Sequence, residues 1–178
     1  MTIATPLARH VLETLRPIPN YPKPGIIFQD ITPVLRDGKL LRAVVEAMAQ
    51  PFRDLDVTHV LGIEARGFIL GGAVATSLGA GFVPARKPGK LPWERVAESY
   101  DLEYGKDALE AHSDALPAPA RVLIADDVLA TGGTARAAGQ LVRGLGAEVV
   151  GWTFLLEIMG LGGPEKLVGA PTHVVARR

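Results

Sequence analysis

Two stretches of the chain share one grammar: "THVLGIEARGFILGGAVATSLGAGFVPA" from Thr58 to Ala85, and "RVLIADDVLATGGTARAAGQLVRGLGAEVVGWTFLLE" from Arg121 to Glu157. Each reads as apolar strand, polar or glycine-bearing loop, helix, glycine-terminated turn and second apolar strand. In the later stretch Ala137, Ala138, Leu141, Val142 and Leu145 recur on one helix face, with Arg136, Gln140 and Arg143 on the other. These are βαβ crossovers. Near-continuous apolar strands joined by helices predict a central, mostly parallel sheet covered on both faces, an α/β class. Ligands of such sheets bind beyond the carboxyl ends of the strands, where the loops of both units must lie. The 178 residues suit one domain, 1–178, that buries roughly 70% of its unfolded surface.

Around the units, Thr5 and Pro6 form a helix cap and first-turn pair, followed by Leu7, Val11, Leu12 and Leu15 at helical spacing. "RPIPNYPKPG" cannot continue that helix and predicts an extended, turn-rich segment that delivers Ile26, Ile27 and Phe28. A further helix is expected after Asp37, ending near Pro51. Residues 86–107 form a polar insertion without long apolar periodicity, and such a loop is commonly functional.

Charge and composition exclude several classes. Nineteen basic and nineteen acidic residues cancel, so there is no broad basic field for nucleic acid, and no nucleic-acid partner is expected. Arg9, Glu13 and Arg16 interrupt any signal-peptide core, and "FILGGAVATSLGAGFV" is shorter than the ~20 residues of a membrane span, so no membrane partner is expected either. With no cysteine there is no thiolate chemistry, which fits a cytoplasmic location. His10, His59, His112 and His173 lack metal-ligand spacing.

Chemistry concentrates in "VLIADDVLATGGT", residues 122–134. Amides at a helix N-terminus bind phosphate without a cation, and Gly132 and Gly133 allow close approach. A P-loop is disfavoured because the required lysine is missing. Two acids beside a phosphate cradle suit a sugar phosphate, whose hydroxyls donate to the carboxylates.

This thirteen-residue stretch resembles the phosphoribosyl pyrophosphate motif of type I phosphoribosyltransferases. The resemblance implies that Asp126 and Asp127 meet the ribose hydroxyls, and that Ala130, Thr131, Gly132, Gly133 and Thr134 hold the 5-phosphate. Three further segments resemble the adenine-specific branch. "YPKPGIIFQDITPVL" is similar to its base-binding segment, which belongs to an N-terminal part spanning residues 1–36. There Phe28 would stack on the purine while the Ile27 and Gln29 backbones read its edge, although Phe28 also suits a core position and the family commonly has Arg at Gln29. Val128 and Ile158 match positions lining the base pocket and suit core packing equally well.

"GIEARGF" resembles the pyrophosphate loop, implying roles for Glu64, Ala65 and Arg66 and a cis peptide between Glu64 and Ala65; Arg66 alone reads equally as a surface charge. "RKPGKLPWERVAESYDLEYGKDALE" resembles the flexible catalytic loop. In it Arg86, Lys87 and Lys90 would clamp pyrophosphate and Glu103 would be catalytic, with Tyr104 and Ser99 as secondary candidates. Trp93, Arg95 and Pro164 depart from the family pattern.

The resemblance implies the type I phosphoribosyltransferase fold and conversion of adenine and 5-phosphoribosyl 1-pyrophosphate to AMP and pyrophosphate. One Mg2+ would be held by substrate oxygens and water, with Asp126 and Asp127 in its outer shell. A homodimer is also implied. Another purine as acceptor, or a regulator that binds the donor without turnover, are the alternatives.

Overall fold

The computed structural model describes residues 5–102 and 105–178. Its centre is a five-stranded, all-parallel sheet in the order β4-β3-β7-β8-β9, formed by Gly81–Ala85, His59–Ile63, Arg121–Leu129, Glu148–Glu157 and Thr172–Arg177. The two predicted crossovers supply four of these strands. After β3 the chain turns outward through α4 (Arg66–Leu78) to edge strand β4, and it later re-enters on the other side of β3 as β7. Strand order therefore reverses between β3 and β7, and the loops leaving their carboxyl ends face each other across the resulting crevice.

The sheet is covered on both faces. One core cluster gathers Leu141 and Val142 of α5 (Gly133–Gly144) with Ile124, Trp152 and Phe154. The other gathers Met48 of α3 (Gly38–Ala49), Leu70 and Val74 of α4, and Leu123 and Leu155. The helix starts follow their capping chemistry. Thr5 accepts from the Ala8 amide at 3.1 Å ahead of α1 (Pro6–Thr14), and Asp37 accepts from the Lys39 and Leu40 amides at 2.9 and 3.1 Å ahead of α3.

Two antiparallel hairpins stand outside the sheet. The proline-rich segment forms β1 (Arg16–Pro19) and β2 (Ile27–Asp30), and Asp30 then accepts from the Thr32 amide at 2.9 Å to open the short α2 (Thr32–Arg36). Much of the insertion that lacks helical periodicity is also paired: β5 (Arg95–Leu102) runs against β6 (Gly105–His112). Among the described residues Tyr100, Leu109 and Ala111 carry this arm into the core with the half-buried Val96 beside them, and charged pairs such as Arg95–Glu110, at 3.1 Å, line the arm. An arm so thin in apolar residues leaves little pattern to read. No described helix is long and apolar enough to cross a membrane.

Candidate active site

The Ala130–Thr134 stretch leaves β7 and becomes the first turn of α5. Gly132 sits at φ +75°, a left-handed conformation that favours glycine, and no side chain caps the helix. The first amides of α5 therefore stay available to a ligand, in a small concavity walled by residues from Asp126 to Ala135.

Immediately before it, Asp126 and Asp127 alternate across the end of β7. Asp126 accepts from the Asp127 amide at 2.8 Å, while the buried Asp127 carboxylate pairs with the Arg66 guanidinium. Desolvation and the neighbouring Asp127 charge push the Asp126 carboxyl well above the usual carboxylate range. Gly67 is pressed against this pair, since a Cβ there would lie 2.7 Å from Asp126 Oδ1. The two sequence motifs are thus locked together.

Arg66 opens α4 directly after the Glu64–Ala65 peptide, which is cis. Its guanidinium also lies over the Phe28 ring, 5.2 Å from the centroid, and Tyr21 packs edge-on against that ring at 5.3 Å. One side chain thus touches residues from two of the other predicted subsites, Asp127 and Phe28. Gln29 is buried: its amide donates to the Ile27 carbonyl at 3.4 Å, and its Oε1 accepts from Arg178 at 3.2 Å. Ile27 is exposed, whereas Val128 and Ile158 are half-buried against the core, brought close by the Ile158 amide donating to the Leu129 carbonyl at 2.9 Å.

The family model for the phosphoribosyl transferase domain matches residues 31–165. A curated adenine phosphoribosyltransferase of Myxococcus xanthus is 56% identical over 163 residues, which are 92% of this chain and 89% of that protein. The chain belongs to the adenine phosphoribosyltransferase family. The crystal structure of the Rhodothermus marinus adenine phosphoribosyltransferase superposes with a TM-score of 0.93 at 51% identity, covering 97% of this chain and 98% of that one. The Saccharomyces cerevisiae enzyme, solved with a dideoxy-imino-altritol bisphosphate and adenine, matches at a TM-score of 0.88 and 39% identity, covering 95% and 98%. The type I phosphoribosyltransferase fold is therefore established.

In this family member the cations expected to clamp pyrophosphate are held by local partners. Glu64 accepts from Arg86 Nη2 at 3.1 Å and from the Lys87 amide at 2.9 Å. Burial pushes the Glu64 carboxyl up, but those two donors outweigh it and leave it below the ordinary range. The Glu64 carboxylate thus orients cations and offers nothing attractive to an anion. Lys87 Nζ pairs with Asp107 and contacts the Tyr100 hydroxyl at 2.6 Å. Burial lowers the Lys87 pKa, and these two partners reverse that and raise it overall, which keeps the ammonium charged. Lys90 is exposed, and its carbonyl accepts from Arg86 at 3.0 Å.

Ser99 is exposed on β5, while Glu103 and Tyr104 lie outside the described residues. Asp107, Tyr100 and Glu110 carry no motif, and their part emerges only once β5 and β6 are paired. No cluster of three metal-ligating side chains occurs among the described residues. The adjacent carboxylates Asp126 and Asp127 are hard oxygen donors, which suits an outer-shell hold on a magnesium ion carried by substrate oxygens.

Proposed function

We propose that the protein transfers the 5-phosphoribosyl group of 5-phosphoribosyl 1-pyrophosphate to N9 of adenine, forming AMP and pyrophosphate in purine salvage. The observation that carries this reading is the contact between the expected subsites: an uncapped helix N-terminus at Gly132–Thr134, the carboxylates Asp126 and Asp127 just before it, and Arg66 pairing with Asp127 while lying over Phe28.

Each group then has a task. The α5 amides hold the 5-phosphate, and Asp126 and Asp127 accept from the ribose hydroxyls. Pyrophosphate draws Arg66 towards the leaving group, which frees both Asp127 and the Phe28 face, and the purine stacks where the guanidinium lay. The Ile27 and Gln29 backbones meet the base edge, with Val128 and Ile158 as apolar walls. Arg86, Lys87 and Lys90 meet pyrophosphate with the Glu64–Arg66 turn, because negative charge builds there as the glycosidic bond breaks. Glu103 manages the purine proton, and closure of the 86–107 segment excludes water. A bound magnesium ion, with Asp126 and Asp127 in its outer shell, would supply further neutralisation of the departing pyrophosphate.

The same reading makes the whole chain one catalytic domain acting in the cytoplasm as a homodimer. The helix α4 supports the dimer: Gly71 and Ala75 are buried against the sheet, whereas Gly72 meets nothing within 4 Å and leaves room for a close partner.

Incubation with adenine, 5-phosphoribosyl 1-pyrophosphate and magnesium should yield AMP and pyrophosphate in equal amounts, and chelation of the metal should stop it. No AMP from the complete mixture would overturn the reading. Glu103→Ala should lower turnover by roughly 10²- to 10⁴-fold, with an unchanged rate removing Glu103 from the mechanism.

A further inference from the structure

We propose that Gly163 is a positioning residue for phosphate capture: it sets the Ala130–Thr134 loop from behind. The inference rests on the reading of that loop as the 5-phosphate site.

The φ of −66° and ψ of −53° at Gly163 lie outside the left-handed region that favours glycine, although the following Pro164 already disfavours these right-handed values for a residue with a Cβ. The stronger requirement is one of contact. A Cβ at Gly163 would lie 2.3 Å from the Ala130 carbonyl oxygen and 3.0 Å from Leu129 Cγ. The contact is reciprocal, because a Cβ at Gly132 would lie 2.5 Å from the Gly163 carbonyl oxygen and 3.1 Å from its Cα. Main chain therefore packs on main chain between two segments far apart in sequence, at the one loop whose amides must be aimed.

The backstop is itself anchored. The Gly163 carbonyl accepts from the Lys166 amide at 3.2 Å, closing the Pro164–Lys166 turn, and the next residue, Leu167, is buried in the cluster that holds Leu129 and Ala135. Pro164 stands at the first position of that turn, where a missing amide costs nothing. Core, turn, Gly163 and phosphate loop form one mechanical chain. The 163–167 segment fixes how far Ala130–Gly132 can retreat from a ligand without touching that ligand.

Gly163→Ala must therefore push the loop by a substantial fraction of an ångström, and a displacement of about 1 Å is enough to cost on the order of 10²-fold. Calorimetry should show AMP binding weakened by roughly 10- to 100-fold and adenine binding unchanged, with KM raised for the phosphoribosyl donor and not for adenine. Gly151→Ala is the control for general destabilisation. Its Cβ would meet the Phe52 ring at 2.2 Å inside the core, so stability should fall while the ratio of AMP to adenine affinity stays constant. Hydrogen exchange on the unmodified protein gives a second reading should Gly163→Ala fail to fold: AMP should slow the Lys166 and Leu167 amides together with the loop, and adenine alone should not. Equal AMP binding by Gly163→Ala, or protection that stops at Ala135, overturns the role of Gly163. Failure of the unmodified protein to bind AMP overturns the phosphate-site reading and this inference with it.

Discussion

Asp126→Asn should make the unliganded protein more resistant to heat while lowering phosphoribosyl transfer by roughly 10²- to 10³-fold, the usual cost of removing one electrostatic stabiliser. The two effects share one cause. Asp126 is desolvated beside Asp127, so the fold works against its charge, and on the proposed reading the ribose hydroxyls offset that cost. Asparagine keeps an oxygen for the Asp127 amide, which Asp126 accepts at 2.8 Å, and drops the repulsion.

The pH dependence has a definite sign. Because the folded protein holds the Asp126 proton to higher pH than the unfolded chain does, stability falls as pH rises from the ordinary carboxylate value through the raised folded value. Below that window both states are protonated and Asp126 contributes no slope. Glu64, Asp30 and Asp107 are shifted the other way and lose their contribution as pH falls through their lowered values, equally in both proteins. The difference in thermal midpoint between Asp126→Asn and the unmodified protein should therefore widen with rising pH across the Asp126 window and then level off. A flat difference, or a variant with full turnover, contradicts the assignment.

Gly132→Ala should be as damaging. At φ +75° an alanine carries roughly 1–3 kcal/mol of backbone strain. Its Cβ would also drive into the Gly163 carbonyl at 2.5 Å, so the loop cannot relax backwards. Strain together with a misaimed set of amides predicts a fall of roughly 10²- to 10³-fold in kcat/KM for the phosphoribosyl donor. Adenine binding should hold, since Phe28 and Ile158 come from other elements. Initial rates with each substrate varied in turn separate the two, and a loss confined to adenine KM would show that the loop does not hold phosphate.

What could be read from the sequence follows from how local each signal is. The two crossovers declare themselves in contiguous runs, and Thr5 and Asp37 cap their helices through bonds within three residues. "VLIADDVLATGGT" is likewise contiguous, so strand end, carboxylates and helix start follow in order from the residues alone. The β5–β6 arm cannot be read that way, because the Arg95–Glu110 pair within it and the Lys87–Asp107 pair that ties it to the segment after β4 mean nothing until the strands are aligned.

Arg66 is ambiguous in the sequence for the same reason. Its contacts reach β7 and β2, which only the strand-order reversal and the β1–β2 hairpin bring alongside the turn after β3. Gly163 carries only the weak local signal of a residue before proline, and its main reason lies across the fold, where Ala130 and Gly132 approach it. Among the departures from the family pattern, Gln29 finds Arg178 and Pro164 starts a turn, while the exposed Trp93 has no structural explanation.

The central claim is that one crevice joins a ribose phosphate to adenine with loss of pyrophosphate. Pyrophosphate release by the unmodified protein, measured with magnesium, 5-phosphoribosyl 1-pyrophosphate and each of adenine, hypoxanthine, guanine and xanthine in turn, tests it most directly. The account predicts rapid release with adenine alone. Release with another purine and none with adenine, or tight donor binding without turnover on any base, would contradict it.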